Sequence, residues 1–516
     1  MFPQDQLTRV TELTTAKLES RRPPPTLPGE ILKLFGILIL ATRFQFGSRA
    51  DLWATAPRSK HMPVPAFGAR TGMFRHCFDA LWSALTFSRQ PAGGGPANGQ
   101  SGGEHYRWAL INDFISSTNA HREAHVAPRD TICVDESKIK RYGAGGPWIS
   151  IGLPMYVTID RKPENGCEIQ NAACGQSGIM LRLHRVTTSA DPTRQHVRGR
   201  EPGAAWHSRF TALFGPWAGS DRIACADSYF SSVEAALALK GTGLRLIGVV
   251  KTTHRRLPMA SLAARELRGR GSWVSMVPTD TSGAPDLMAA MWADRNRPVF
   301  VATAGSARPG APCERLRWRQ IYGGAERVAV SVPQPEVAEI YYGCCAQICR
   351  HNRWRQDVLR LEHKLGTHDW SQRVNISFLG VFLFDAWLLL SGAPGPASLN
   401  QAALYEDLAP GLIASTFDST GARPPAATGE TNPTPPLGYG VGVHLTPKTK
   451  RRHPSACGAG VFLAQRRCCV CTTHTSTLVC SDCRQLDGGR EMFVCEAKAG
   501  RNCFASHVPS AHDAVL

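Results

Sequence analysis

Two aspartates each follow directly on a short run of apolar, β-type residues. Asp135 comes after residues 131–134 and Asp227 after residues 222–226. Carboxylates at the carboxyl ends of neighbouring strands lie at the edge of an open α/β sheet where ligands and metals bind. Two such groups could share a pair of Mg²⁺ ions, which prefer oxygen ligands and stabilise both reacting oxygens in phosphoryl transfer. The alternative, which this spacing alone favours, is that both are helix caps or turn residues.

A second set of candidate ligands lies near the end of the chain, among its 17 cysteines. Two CxxC pairs, two further cysteines and a histidine form this set: Cys468, Cys471, Cys480, Cys483, Cys495, Cys503 and His507. Two tetrahedral Zn²⁺ ions need four ligands each, so one more is required, and His474 or Cys469 could supply it. We expect a small structural-zinc module of the cross-brace RING/PHD kind, because so short a segment has too small a core to fold easily without metal. Reduced thiols without metal are the alternative, which the two CxxC pairs disfavour.

The chain is strongly basic. It has 59 Lys and Arg against 41 Asp and Glu, which gives a formal net charge of +18, and its pI is about 9.4. This balance favours a polyanionic partner, and nucleic acid is the first candidate. Two basic stretches are candidate DNA contacts: Lys251, Arg255 and Arg256, and then Lys448, Lys450, Arg451 and Arg452. A solvated basic surface is the alternative for both, and the second stretch could also be a nuclear localisation signal.

No segment predicts secretion or a membrane span. The first residues are polar and charged, without the apolar centre of a signal peptide. We therefore interpret the clustered cysteines as metal ligands or reduced thiols and not as disulfides. The longest apolar run, near 378–390, is interrupted by Asp385 and is too short for a bilayer. It predicts a buried core helix, and we expect neither a membrane partner nor a small-molecule substrate.

The elements that must position the aspartates follow from residue periodicity. Apolar residues at helical spacing predict helices near 29–40, 71–87 and 105–121. From Thr131 onward the pattern becomes β-type, and a strand–helix–strand unit follows the second aspartate's strand. This order predicts a mixed α/β sheet. The further strands are predicted at 149–159, 167–173, 179–186, 222–226 and 244–251.

Composition divides the chain into five segments. The predicted order is an N-terminal helical region for dimerisation or DNA binding (1–130), an α/β core (131–252 and 336–392), an insertion subdomain (253–335), a Pro/Gly-rich linker with the basic run (393–455) and the Cys/His zinc-binding domain (456–512).

The surroundings of both aspartates resemble the motifs of piggyBac transposases. The resemblance runs from about residue 29 to 392, and its motifs occur in the family's order: CVDES at 133–137, RYGAGGP at 141–147, IDRKP at 159–163, ADSYFSS at 226–232, and KLGTHDW with RVN at 364–370 and 373–375. It implies an RNase H-like fold that cleaves and joins double-stranded DNA with Mg²⁺. It also implies transposon ends and TTAA target DNA as partners, a homodimer, and Asp135 and Asp227 as catalytic metal ligands.

The family uses a third aspartate, and here that position holds Cys349. The segment reads CAQICRHN at 345–352. A thiol is soft and Mg²⁺ is hard, so Cys349 should bind the catalytic metal poorly. Asn352, on the same helical face, could offer a neutral oxygen. Asp357 is the nearest carboxylate in sequence that could replace the missing one. If this stretch is one helix, Asp357 lies about 12 Å further along its axis than Cys349, which is too far to bind the same metal.

The sequence therefore predicts a nuclear, transposase-derived DNA-binding protein whose DNA cleavage is lost or severely reduced. By resemblance, the C-terminal module binds the terminal DNA of the transposon. The alternative is a protein-interaction module, for a chromatin or ubiquitin-related partner, on an inactive transposase scaffold. A decayed element without retained function is a third possibility.

Overall fold

The chain forms two compact units, Met1–Pro424 and Pro425–Leu516. The computed structural model describes residues 2–19, 26–56, 64–89, 103–140, 157–159, 162–186, 211–279, 286–321, 324–367, 369–392 and 400–415, and four short strands of the second unit. These four strands form two antiparallel pairs, Arg452–Pro454 with Val461–Leu463 and Arg466–Arg467 with Thr475–Ser476. The division between the units falls within the predicted linker.

The N-terminal part of the first unit is helical. Its helices bury apolar residues at helical spacing, as Ile31, Leu34, Phe35 and Leu38 do in α2. The elements are α1 (Gln4–Glu19), α2 (Pro28–Ala41), a 3₁₀ turn (Arg49–Trp53), α3 (Phe67–Thr71), α4 (Arg75–Ala84) and α5 (Gly103–His125).

A mixed sheet forms the centre of the first unit. Its described strands are β1 (Thr131–Lys140), β2 (Val157–Ile159), β3 (Lys162–Cys174), β4 (Met180–Arg185), β5 (Ile223–Ala226), β6 (Arg245–Val250), β7 (Trp273–Met276), β8 (Met288–Trp292) and β9 (Val299–Ala302). Their order is β2-β3-β1-β5-β6-β9-β8-β7, with β4 on β3. Strands β1, β5 and β6 run parallel, and the described neighbours outside them pair antiparallel.

Both faces of this sheet are covered. Along β1, Ile132 and Val134 join one buried apolar cluster while Cys133 joins another, as the two-residue period of a strand requires. Helices that pack on its strands include α6 (Val233–Gly241), α7 (Met259–Ala264), α8 (Glu336–Cys344), α9 (Gln347–Val358) and α11 (Trp370–Ser391), whereas α10 (Leu361–Lys364) and α12 (Gln401–Ala414) pack on other helices.

Two predicted segments differ from the structure. Much of the 253–335 insertion continues the main sheet, because β7, β8 and β9 extend it beyond β6. Among the described strands of that insertion, β10 (Cys313–Ile321) and β11 (Gly324–Val332) form a separate two-stranded sheet.

The predicted linker from residue 393 contains helix α12, which packs on α2. Tyr405 and Ala409, one turn apart, are fully buried in the N-terminal core. Gly36 of α2 permits this approach, since a Cβ there would lie 2.7 Å from the Ala409 carbonyl oxygen. Composition suggested a linker because the surrounding residues are rich in Pro, Gly and Ala, while the apolar spacing of this short helix is weak over its length.

Helix α11 is a core helix. It is long and apolar enough to cross a membrane, but most of its apolar stretch is buried inside the protein. The side chains from Trp370 to Asp385 are all buried. This agrees with the buried helix predicted near 378–390.

Asp385 lies inside the apolar part of α11 and joins this helix to α5, α9 and β4. Asp385 is fully buried and pairs with Arg122 of α5 at 2.6 Å (Nη2–Oδ2). Its Oδ1 lies 3.1 Å from His351 Nε2 of α9 and accepts the Met180 amide of β4 at 3.0 Å. Burial alone raises the pKa of Asp385, but Arg122 and the hydrogen bond from His351 hold this pKa below its ordinary value. Asp385 therefore anchors α9 to the core through His351.

Replacing Asp385 by Ala should strongly destabilise the protein, because it leaves the Arg122 charge buried without its partner. Removing one partner of a buried pair costs about 3 to 5 kcal/mol. Thermal unfolding checks this against Asp357→Ala, which removes an exposed pair with Arg353 in α9 and should change the midpoint little. Equal midpoints for the two variants would contradict the anchoring role.

Candidate catalytic centre

The register of two parallel strands brings Asp135 and Asp227 side by side. Val134 of β1 lies opposite Ala226 of β5, and each aspartate is the next residue along the chain. Asp135 is 9% exposed and Asp227 is partly buried. Both carboxylates therefore lie where the parallel pairing of β1 with β5 ends, the part of an open α/β sheet where ligands bind. The predicted strand end at Asp135 is wrong, because β1 continues to Lys140 in its antiparallel pairing with β3.

Backbone amides hold one oxygen of each carboxylate. Tyr229 N donates to Asp227 Oδ1 at 2.8 Å, and Glu136 N donates to Asp135 Oδ1 at 2.8 Å. The first bond closes an Asx-type turn that begins the connection to α6. Asp227 is thus a turn residue, as the alternative from the sequence proposed, and it lies at the sheet edge as well.

The residue that the motif resemblance predicts as the third of the site, Cys349, contacts Asp135. Helix α9 packs on β1, and its Cys349 thiol donates to Asp135 Oδ2 at 2.9 Å. Cys349 lies in the first turn of α9 and is exposed to solvent. Cys349 therefore lies beside Asp135. An aspartate at residue 349 would place a second carboxylate there.

Asn352, one turn further along α9, is bonded to the sheet. Its Nδ2 donates to Ser137 Oγ at 2.7 Å and its Oδ1 lies 3.0 Å from the same hydroxyl. Asn171 of β3 donates to Ser137 Oγ at 2.5 Å. Asn352 thus joins α9 to β1 and β3, instead of presenting its oxygen only to the aspartates.

Sequence reasoning missed Ser137 and Asn171. Ser137 lies two residues after Asp135 and so on the same face of β1. Asn171 is paired across the sheet with Asp135 in the β1–β3 register. An asparagine within the run predicted at 167–173 was a signal of a polar site, since buried polar side chains need partners.

The cysteines beneath this site behave as buried thiols. Cys133 donates to the Cys345 carbonyl oxygen at 3.4 Å, and contact with Cys344 together with burial raises the pKa of Cys133 well above its usual value. The hydrogen bond with Cys133 lowers the pKa of Cys344, but contact with Cys225 and burial raise it overall. Burial raises the pKa of Cys345 to about 12. Thiols held in this protonated form bind metals poorly.

The donor set does not fit Mg²⁺. It offers two carboxylates and a soft thiol, and that thiol already donates to Asp135 Oδ2. Across the described ranges, no group of three or more His, Cys, Asp or Glu side chains is arranged to hold a metal ion. The centre therefore lacks the third anionic oxygen that a two-metal site would use.

Basic residues lie at the same edge as the carboxylates. Strand β6 runs parallel to β5, and the loop from Lys251 follows its carboxyl end. Lys251 and Arg255 are exposed there. Arg256, also predicted as a DNA contact, pairs instead with Glu234 at 2.8 Å. The edge thus combines two carboxylates with exposed positive charge.

The remaining predicted sites lie largely outside the described residues. This holds for all the proposed zinc ligands, Cys468, Cys471, Cys480, Cys483, Cys495, Cys503 and His507, and for Lys448, Lys450 and Arg451. Arg452 begins the strand Arg452–Pro454 of the second unit. The motif at 141–147 is also outside them.

Comparisons with known proteins identify a family and a similar fold. The family model described as Transposase IS4 matches residues 1–387. A cryo-EM structure of a piggyBac transposase synaptic complex with hairpin DNA is similar in fold, with a TM-score of 0.59 at 15% identity, over 83% of this chain and 81% of that one. None of the curated proteins compared matches. Since the family match spans most of the chain, this protein belongs to the piggyBac-type IS4 transposase family.

Proposed function

We propose that this protein is a transposase-derived DNA-binding protein whose metal-dependent DNA cleavage and strand transfer are severely impaired. The observation that carries the proposal is the 2.9 Å contact between the Cys349 thiol and Asp135 Oδ2. It supports the placement of Cys349 at the third catalytic position and identifies what that position lacks.

The impairment follows from the chemistry of the donor. A carboxylate at residue 349 would add an anionic oxygen beside Asp135, and a thiol adds a soft, neutral donor. Neither Asn352, bonded to Ser137, nor Asp357, paired with Arg353 at 3.7 Å, offers a replacement. Backbone amides still hold one oxygen of each remaining carboxylate, Asp135 and Asp227.

Positive charge supports DNA as the retained partner. The net charge is +18, and exposed Lys251 and Arg255 lie at the carboxylate edge. The structurally similar piggyBac transposase was solved as a synaptic complex with hairpin DNA. By analogy, the partners here are transposon ends and target DNA, bound by a homodimer in the nucleus, with TTAA as the target sequence.

The C-terminal segment 456–512 is part of the same proposal. Its two CxxC pairs and the later Cys and His residues support two structural Zn²⁺ ions. The compact-unit division at Pro424 supports a module that is separate from the core. A protein-interaction role for this module on an inactive scaffold is the second candidate function.

The full chain should bind duplex DNA with a steep salt dependence, because its phosphate contacts release counterions. Fluorescence anisotropy of a labelled duplex carrying the transposon end, measured across a salt series, checks this. Lys251→Gln with Arg255→Gln should weaken binding and reduce the salt slope by about two. Absence of DNA binding by the unmodified chain would leave the protein-interaction role as the better candidate.

Cys349→Asp should restore Mg²⁺-dependent cleavage if this position is the only defect. The assay follows strand cleavage of the same labelled duplex with Mg²⁺ or Mn²⁺. Cys349→Ser is the matched control, since its hydroxyl removes sulfur without adding an anionic oxygen, and Asp135→Asn in the Cys349→Asp background should abolish the restored cleavage. Efficient cleavage by the unmodified protein would contradict the proposal.

The purified full chain should carry about two zinc ions, four ligands each. Elemental analysis measures them, and Cys468→Ser with Cys471→Ser should lower the content. Cys77→Ser, at an exposed cysteine of the helical region, is the matched control and should leave it unchanged. A chain that binds no zinc would end the idea of a zinc module.

A further inference from the structure

Cys349 and Asp135 form a pair of donors of two different kinds. The Cys349 sulfur lies 2.9 Å from Asp135 Oδ2. Asp135 Oδ1 accepts the Glu136 amide at 2.8 Å, so Oδ2 is the oxygen that faces the thiol. Asn352, one turn further along α9, donates to Ser137 of β1 at 2.7 Å and fixes the helix that carries Cys349. Both donors are therefore positioned by contacts that do not require a bound ion.

Cys349 differs from the neighbouring cysteines in its exposure. Its side chain is exposed to solvent, whereas Cys133 and Cys344 are buried. Burial raises the pKa of Cys345 to about 12, which keeps that thiol protonated. A metal ion replaces the proton of the thiol that binds it, and this exchange is easiest where ion and proton both reach water. Among these four thiols, Cys349 is therefore the one that a dissolved ion can bind.

The two donors select the class of ion. Mg²⁺ takes oxygen ligands in octahedral geometry, whereas Zn²⁺ binds thiolate sulfur and carboxylate oxygen in one tetrahedral site. Zinc lies about 2.3 Å from sulfur and about 2.1 Å from a carboxylate oxygen, so a tetrahedral angle places the two donors about 3.5 Å apart. The observed separation of 2.9 Å between Cys349 Sγ and Asp135 Oδ2 needs to open by about half an ångström to admit the ion.

We infer that Cys349 and Asp135 bind a thiophilic divalent cation, Zn²⁺ or Cd²⁺, where the resemblance implies Mg²⁺. The inference rests on the proposed assignment of residue 349 to the third metal-binding position, and it adds which ion that position takes. On binding, the ion forms a bond to Sγ and the thiol proton passes to water.

Two side chains fill half of a tetrahedral site, and water completes it. The pair is smaller than a group of three or more His, Cys, Asp or Glu ligands, of which the described ranges contain none. Asp227, the next residue after the paired strand end of β5, adds a second carboxylate at the same edge of the sheet. This negative charge favours a cation, and the sulfur favours a thiophilic one.

Alkylation of Cys349 measures this binding at one residue. The purified full chain is treated with N-ethylmaleimide, with and without added Zn²⁺, and mass spectrometry of the peptide that contains Cys349 follows the reaction. Zn²⁺ should slow the alkylation about tenfold when the free ion is at about ten times its dissociation constant, because coordinated sulfur is no longer a free nucleophile. Mg²⁺ at the same concentration should not slow it. Zinc bound by the C-terminal cysteines does not enter the readout, which follows one peptide.

Two other cysteines and two variants control the measurement. Cys77 is also exposed and should react equally with and without Zn²⁺, whereas Cys133 is buried and its alkylation reports unfolding. Asp135→Asn should abolish the protection of Cys349, because a neutral amide oxygen replaces the carboxylate ligand. Asp357→Asn neutralises an exposed carboxylate of the same helix and should retain the protection.

The outcomes separate this inference from the function on which it rests. Equal alkylation of Cys349 with and without Zn²⁺ would overturn the inference, as would equal protection by Mg²⁺ or protection that survives Asp135→Asn in the folded chain. If Asp135→Asn unfolds, the comparison of Zn²⁺ with Mg²⁺ on the unmodified chain decides. The proposed function fails by another result, efficient Mg²⁺-dependent cleavage by the unmodified chain. Absence of both zinc protection and cleavage would overturn only this inference.

Discussion

The parallel pairing of β1 with β5 is the constraint on which the candidate centre depends. Because Val134 lies opposite Ala226, the next residues on both strands are adjacent carboxylates. A shift by one residue would turn Asp135 to the other face of the sheet. The apolar residues on both faces prevent that shift, since Ile132 and Cys133 belong to different buried clusters.

Helix α9 brings Cys349 to Asp135, and polar contacts on two sides of the helix hold it there. Cys349 and Asn352 contact β1, while His351 between them faces the buried Asp385 on the opposite side. Burial lowers the pKa of His351, so near neutral pH the ring is an uncharged bridge beside the Arg122–Asp385 pair. Helix α9 is therefore held against the sheet from both sides, which fixes the position of Cys349 beside Asp135.

Local pattern was enough for part of this structure and insufficient for the rest. The strand end before Asp227 follows from a short apolar run, whereas β1 continues past Asp135 to Lys140 in a polar stretch that its pattern did not predict as a strand. Motif order predicted Cys349 as the third residue of the site, and the structure places its thiol against Asp135. The partners Ser137 and Asn171 depend on β1–β3 register, which residue periodicity does not encode. Helix α12 was hidden by its Pro- and Gly-rich surroundings, although Tyr405 and Ala409 are buried. The separate sheet of β10 and β11 required knowing that β7 to β9 join the main sheet while β10 and β11 do not.

The central claim is that residue 349 lies at the metal-binding position and that its thiol weakens the binding of Mg²⁺ and Mn²⁺ there. The most direct measurement is Mn²⁺ binding followed by electron paramagnetic resonance, comparing the unmodified chain with Cys349→Asp and using Asp135→Asn in each as the baseline. The account predicts weak Asp135-dependent binding that becomes tighter with the added carboxylate. Equal Mn²⁺ affinity in the two chains would contradict it.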